Sequence, residues 1–259
     1  MPRLSSVFLT LAAALFALPF VTIVLAAFGT GWSTGLLPEG LDTAAVAGVL
    51  TDPRFQAALG RSLAVSGAAL LLSAVLMVPA ILAGHIYWPA LDRWLARLVV
   101  LPYAVPGVVL VVGYLRVFSH PALALNGTPW ILVLAYVPLC FPMFYVSIKG
   151  ALTGLPIADW LDAGRLMGLR DERILARVVL PMIAPQILLG VVLGLGILLG
   201  EFVYANMLVG GRFETLQIYM YAKRTESGAV TAAIILFYFL TILSLTAASV
   251  ALSRQRPAR

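Results

Sequence analysis

Among the acidic residues of this 259-residue chain, Glu201 alone falls inside a long apolar run, which makes it the first side chain to weigh for chemistry. A charge deep in a bilayer costs about 2.5–3.5 kcal/mol, so it must face protein, water or a polar solute. Counting from Met182 puts Glu201 in the outer half of its segment, with Tyr204 and Asn206 just beyond it. One reading is a vestibule or gate beside a solute path, attracting a cationic group. The other is an acid that bridges helices or reaches outward to water. Catalytic alternatives have little footing. His85 and His120 lie at opposite ends of apolar segments, without metal-ligand spacing to each other or to acids. Lys149 and Lys223 follow Ile and Ala, and neither closes a Gly-x-x-x-x-Gly-Lys loop. No Gly-x-Ser-x-Gly or His-Glu-x-x-His pattern occurs. The chain is therefore expected to be no enzyme and to bind no metal or cofactor of its own. The lone Cys140 reads as a small buried residue.

A second constellation is mechanical. Asp162-Ala163-Gly164, Gly168, Val178 and Leu180-Pro181 lie in a polar insertion, 150–181, between two apolar segments. Ile157–Met167 and Asp171–Val179 can each form a short helix, with Gly168 as the joint where positive φ is needed. Asp171 and Glu172 suit the first turn of the second helix, and Arg173 and Arg177 share a face of it. Pro181 belongs at the start of the next span, where its missing N–H does least harm.

The elements around these residues follow from composition. The chain is 62% hydrophobic and 11% charged, and its mean hydropathy is +1.02, so the bilayer must be its main solvent. Apolar segments run over Val7–Phe28, Leu63–Ile86, Leu98–Phe118, Trp130–Ser147, Met182–Leu208 and Ala229–Leu252. Each approaches the roughly 20 residues that cross the hydrocarbon as a helix, and the first is too long for a signal h-region. Six spans put both termini on one side. Arg3, Arg93, Arg97, Lys149, Arg165, Arg170, Arg173, Arg177, Arg254, Arg256 and Arg259 fall on that side, against Arg54, Arg61, Arg116, Arg212, Lys223 and Arg224 on the other. The richer face, carrying the termini and the Asp162 loop, should be cytoplasmic. The net charge of +6 is spread between spans, which argues against nucleic-acid binding.

Finer features are expected within this frame. A short interfacial helix fits Leu41–Leu50 in the external segment Gly29–Arg61. Pro102 and Pro106-Gly107 should kink the third span around Tyr103, as a hinge, a path-lining bend or a simple accommodation of shape. Gly190, Gly194, Gly196 and Gly200 give the fifth span a smooth packing face. Trp88, Trp130 and Tyr145 suit the interfacial belts.

The spacing of the 150–181 loop resembles that of binding-protein-dependent ABC importer permeases: Glu-Ala-Ala, three residues, Gly, nine residues, Ile, one residue, Leu-Pro. Here Asp162 stands for Glu, Gly164 for the second Ala and Val178 for Ile, while Gly168, Leu180 and Pro181 fall in register. Asp52-Pro53-Arg54-Phe55, Ala58-Leu59 and Ser62-Leu63 are similar to the entry of the family's permease core. The resemblance implies an all-α membrane protein of six spans with the MetI-like type I ABC importer permease fold. Residues 1–58 would form the first helix and external segment, and 59–259 the core. It implies a multi-pass inner-membrane subunit without its own ATPase site, working with a second, like or related, permease, two ATP-binding subunits and an extracytoplasmic solute-binding protein. Asp162, Ala163, Gly164, Gly168, Leu180 and Pro181 would couple to the ATPases; Glu201, Tyr204, Asn206 and Tyr103 would line the path. Gly200-Glu201-Phe202, Gly210-Gly211-Arg212 and Thr215-Leu216 look most like the polyamine, ferric iron, thiamine and phosphonate group. The rival readings are an ion-coupled secondary transporter, which would want a titratable cluster and internal duplication, and a membrane scaffold without transport.

Overall fold

The computed structural model describes residues 2–32, 35 and 37–254, and the chain is helical almost throughout. The first helix, α1 (Pro2–Phe28), leads into a two-residue antiparallel ladder that pairs Gly29 with Leu41 and Thr30 with Gly40. That ladder folds the segment after α1 back on itself. It delivers the expected short helix as α2 (Ala44–Thr51).

Helix α3 (Pro53–Ile86) starts well before its apolar stretch. Pro53 occupies its first turn, and the Asp52 carboxylate accepts the Arg54 N–H at 2.8 Å, so the helix is capped before it enters the membrane. At 34 residues it is about 51 Å long, longer than the hydrocarbon is thick.

The third apolar segment departs from expectation. It divides into the amphipathic α4 (Pro89–Leu98), the single turn α5 (Leu101–Ala104) and α6 (Gly107–Phe118), and the chain bends by 103° at the Val105-Pro106 break. Pro106 cannot donate the N–H that a continuous helix needs, and it forces Val105 into extended backbone. The described residues therefore hold five uninterrupted apolar helices of spanning length, six if the bent pair crosses as one.

Helix α7 (Pro129–Leu152) is the centre of the bundle, wedged between α3 and α10. Ile131, Ala135, Cys140, Phe144, Ile148 and Leu152 are buried along it at helical spacing, and Cys140 is the small core residue expected. Tyr145 does not join an interfacial belt. It is buried against the edge of Phe141 at 5.8 Å, while Trp88 and Trp130 remain exposed.

After α7 come α8 (Ile157–Leu166), α9 (Asp171–Ile174), a π turn (Leu175–Val179) and α10 (Leu180–Leu199), the last three forming one unbroken rod. In the π turn the Leu180 N–H reaches back to the Leu175 carbonyl. The widened turn falls just before Pro181, whose ring would crowd a regular α-helical carbonyl. The fifth apolar segment also breaks: α10 stops at Leu199, and the chain continues as α11 (Val203–Leu208), a 3₁₀ turn (Gly210–Phe213) and α12 (Leu216–Lys223) before α13 (Gly228–Arg254).

The glycines of α10, with Gly200 that ends it, split into two packing faces. A Cβ at Gly190 would crowd Phe144 and one at Gly194 would strike Leu70, so these glycines admit α7 and α3. Gly196 and Gly200 look the other way, toward Ile242 and Tyr238 of α13. A second, smaller core joins α1, α2 and α13 to the N-terminal end of α3 and to α12 through Ala27, Val49, Phe55, Tyr219 and Ile234.

Candidate functional site: the elbow and the broken helix

The polar insertion folds as an elbow. Ile157, Leu161 and Gly164, spaced at i, i+4 and i+7, are the buried stripe of α8. Asp162 and Ala163 are exposed on its other side, followed by Leu166 and Met167, which are 90% and 72% exposed. Gly168 then turns the chain with φ +75°. The Leu169 N–H bonds to the Gly164 carbonyl at 3.0 Å and the Gly168 N–H to that of Arg165 at 2.9 Å. This pair of bonds is the Schellman arrangement, which satisfies carbonyls that a helix end would otherwise leave bare.

The two arms touch at Gly164. A Cβ there would collide with Cγ1 and Cδ1 of Ile174, so the missing side chain is what lets α9 close on α8. Arg165 fastens the joint: its guanidinium holds both Asp171 oxygens, at 2.9 and 2.7 Å, and reaches Asp162 at 3.1 Å. Those carboxylates keep Arg165 charged, raising its pKa above the ordinary value, the Asp171 hydrogen bonds first among the causes. The Tyr87 hydroxyl, just past the end of α3, donates to Asp171 at 2.7 Å. Burial, and then that bond, push the Tyr87 hydroxyl up to about 12.

A further anchor lies at the same end of the bundle. Lys149 of α7 donates to Asp92 of α4 at 2.6 Å and stands 2.9 Å from Nδ1 of His85 on α3, so one ammonium ties three helices together. A cleft of about 380 Å³ separates His85 and Tyr87 from Ile157, Leu161 and Asp162.

Leu180 and Pro181 sit where the rod leaves the elbow, both exposed, with Pro181 in the first turn of α10. The six coupling candidates thus divide by position. Asp162 and Ala163 face outward, Gly164 and Gly168 shape the joint, and Leu180 and Pro181 start the membrane arm.

Glu201 proves to lie at the break between α10 and α11, not within a continuous helix. Its carboxylate accepts the Tyr204 N–H at 3.0 Å and so caps α11. Two carbonyls at the end of α10 are also met: Gln217 donates to that of Leu199 at 3.0 Å, and the Tyr238 hydroxyl to that of Gly196 at 2.9 Å. A helix can stop at this depth because these side chains replace its lost backbone partners.

The four path candidates do not form one surface. Tyr204 is 2% exposed, packed between the rings of Tyr114 and Tyr136 at 6.2 and 6.4 Å, with Gly107 leaving room for it. Asn206 is exposed on α11, and Tyr103, 62% exposed, stands on α5 beyond the bend.

Sequence reasoning missed the outward Leu166 and Met167, the Ile174 seat, Tyr87 and the Lys149 tie. Only the first pair carries a local signal, as apolar residues beside the acidic face of a short helix.

Comparison with known proteins agrees with this architecture. The sequence matches the family described as "Binding-protein-dependent transport system inner membrane component" over residues 76–256. It is 26% identical to a permease protein, PhnV, named for a 2-aminoethylphosphonate transport system of Salmonella typhimurium, with 89% of this chain and 85% of that protein aligned. It is 30% identical to the ABC transporter permease protein y4fN of Sinorhizobium fredii over 95% of this chain and 44% of that longer protein. In fold it is similar to a chain of a bacterial ABC transporter that imports alginate, with a TM-score of 0.71 at 17% identity over 95% of this chain and 94% of that one. The family match decides among the readings open from sequence: the chain belongs to the inner-membrane permease components of binding-protein-dependent ABC importers.

Proposed function

We propose that the elbow is the handle by which partner ATPases drive this permease, and that the assembled importer carries a small polar solute such as an aminophosphonate, a polyamine, ferric iron or thiamine. The observation that carries the coupling half is the continuity of α9, the π turn and α10 behind a Gly168 joint that Arg165 holds in shape. A force on the exposed Asp162–Met167 face passes through the Ile174 contact into a helix that enters the membrane without a loop to absorb it. The elbow and both termini lie on the cytoplasmic side in this reading, and ATP binds to the partner subunits.

One permease encloses no path alone, so a second copy or a related chain completes it, with two ATP-binding subunits below and a solute-binding protein outside. The solute class is supported by the aminoethylphosphonate system named for a relative. Polyamine, ferric iron and thiamine systems, which the sequence also resembles, are the other candidates. Discrimination between them rests mainly with the binding protein.

The test is to purify the complex from the chain's own host and reconstitute it with the binding protein and each solute in turn. The expected result is ATP hydrolysis stimulated by one solute-loaded binding protein and uptake that requires the elbow. Co-purification with no ATP-binding subunit would sink the proposal.

A further inference from the structure

An apolar furrow of about 640 Å³ runs along the outside of the bundle between α3 and the arm of the elbow. Ala74, Val78 and Leu82 form one wall; Leu175, Leu180 and Ile187 form the other. From Glu172 to Ile187 the arm rises about 22 Å, against about 15 Å for half of the hydrocarbon layer. The furrow is therefore long enough to cover one leaflet and its headgroup zone, with Tyr87 and Glu172 at the polar end.

Charge is confined to that end. Arg173 and Arg177 each follow a furrow residue, Glu172 and Ala176, and so stand beside it, about 100° round the helix at Arg173 and less in the widened turn at Arg177. Both are exposed, as is Arg170, and the ion pairs described on the elbow are made by Arg165 alone. Arg165 is shared by Asp162 on α8 and Asp171, which Tyr87 also holds; along the arm itself Glu172 is then the acid beside Arg170, Arg173 and Arg177. An apolar trough with a net positive mouth at headgroup level matches an amphiphile with a negative head. A protein partner would call for a surface that packs to interior density along its whole length.

We infer that this furrow binds an anionic phospholipid of the elbow-side leaflet, with an acyl chain between α3 and the arm and the phosphate at Arg173 and Arg177. The lipid would sit beside the Tyr87–Asp171 bond that fastens the arm to α3. Its occupancy then sets how freely the arm moves; that second part rests on the reading of the elbow as a handle, and the binding itself does not.

The test uses the full chain in its host membrane, with Val75, 60% exposed on the α3 wall, replaced by photoreactive benzoylphenylalanine. After irradiation the expected adduct has phospholipid mass and a several-fold excess of anionic over zwitterionic heads relative to the bulk membrane. The double variant R173Q/R177Q should abolish the excess while still forming lipid adducts. Adducts of protein mass would mean that a second permease fills the furrow and would overturn the inference. So would lipid adducts of bulk composition, which can be read on the Val75 chain even if the double variant does not accumulate. In the reconstituted complex, phosphatidylglycerol should raise solute-stimulated ATP hydrolysis over phosphatidylcholine. Anionic adducts without that rise would overturn the regulatory part and leave the binding site standing.

Discussion

Ile174 rests directly on Gly164, and the contact exists because Gly164 has no Cβ. The family pattern places alanine at this position, so the two arms of this elbow sit closer than an alanine would permit. Gly164→Ala should cost on the order of 1–3 kcal/mol as overpacking. Pairing it with Ile174→Val should recover part of that loss. A double-mutant cycle on thermal unfolding in detergent checks the coupling; additive effects would show that the two side chains do not meet.

Gly168 makes a different demand. No atom lies within 4 Å of a Cβ built there, so the cost of a side chain is that of its backbone conformation alone. Gly168→Asn should retain uptake, because asparagine tolerates positive φ, whereas Gly168→Val should cost about 1–3 kcal/mol locally and uncouple ATP hydrolysis from transport. Uptake and hydrolysis measured on one preparation separate the variants. Equal behaviour of Asn and Val would contradict the hinge.

Arg165 holds Asp171 through two parallel hydrogen bonds that lysine cannot reproduce. Arg165→Lys should therefore lower solute-stimulated hydrolysis several-fold while membrane insertion stays normal, and Tyr87→Phe should act in the same direction but more weakly. The assay is stimulated over basal ATPase activity in the assembled complex. A full response from Arg165→Lys would remove the clamp from the mechanism.

Glu201 acts here as a cap, and a cap needs an acceptor oxygen more than a charge. Glu201→Gln should keep the α11 bond and near-normal stability, while Glu201→Ala should lose about 1 kcal/mol. Comparing uptake in the two variants divides the roles. A loss in Gln as severe as in Ala would assign the charge itself to the solute path.

On the opposite face, the Tyr219 hydroxyl donates to Asp52 at 2.7 Å and holds its carboxyl below the usual value of 3.8. A lowered folded-state pKa stabilises above the unfolded value, and the benefit fades as pH falls through the folded one. Acid titration of thermal stability should therefore show a loss below about pH 4 that Asp52→Asn or Tyr219→Phe diminishes. An identical acid limb in these variants would exclude the pair as a contributor.

Much of the elbow was legible because its cues are local. Gly168 and Pro181 act on backbone torsions within a turn of themselves, and the acidic start of α9 is a matter of adjacent residues. The third and fifth spans were not, because hydropathy measures how apolar a run is and carries no direction. Pro102 and Pro106 announced a kink in the third run but could not give its 103°. In the fifth, the residues that make a break affordable, Gln217 and Tyr238, lie far along the chain from the groups they satisfy. The same distance hid the Lys149 tie to His85 and Asp92, 64 and 57 residues away. Tyr145 misled for a related reason: its type suits the interface, and only the packing of α7 buries it.

Under the coupling role proposed above, the widened turn at Leu175–Val179 bears on how a pull would be delivered. Each residue of a helix advances its faces by about 100°, so an extra one inserted into a turn re-clocks everything downstream. Were that bulge to migrate by a single position as the handle is pulled, the residues it passes would swing toward new neighbours while the rod stayed whole. A pull on the handle would then reach the membrane as torsion as well as tilt.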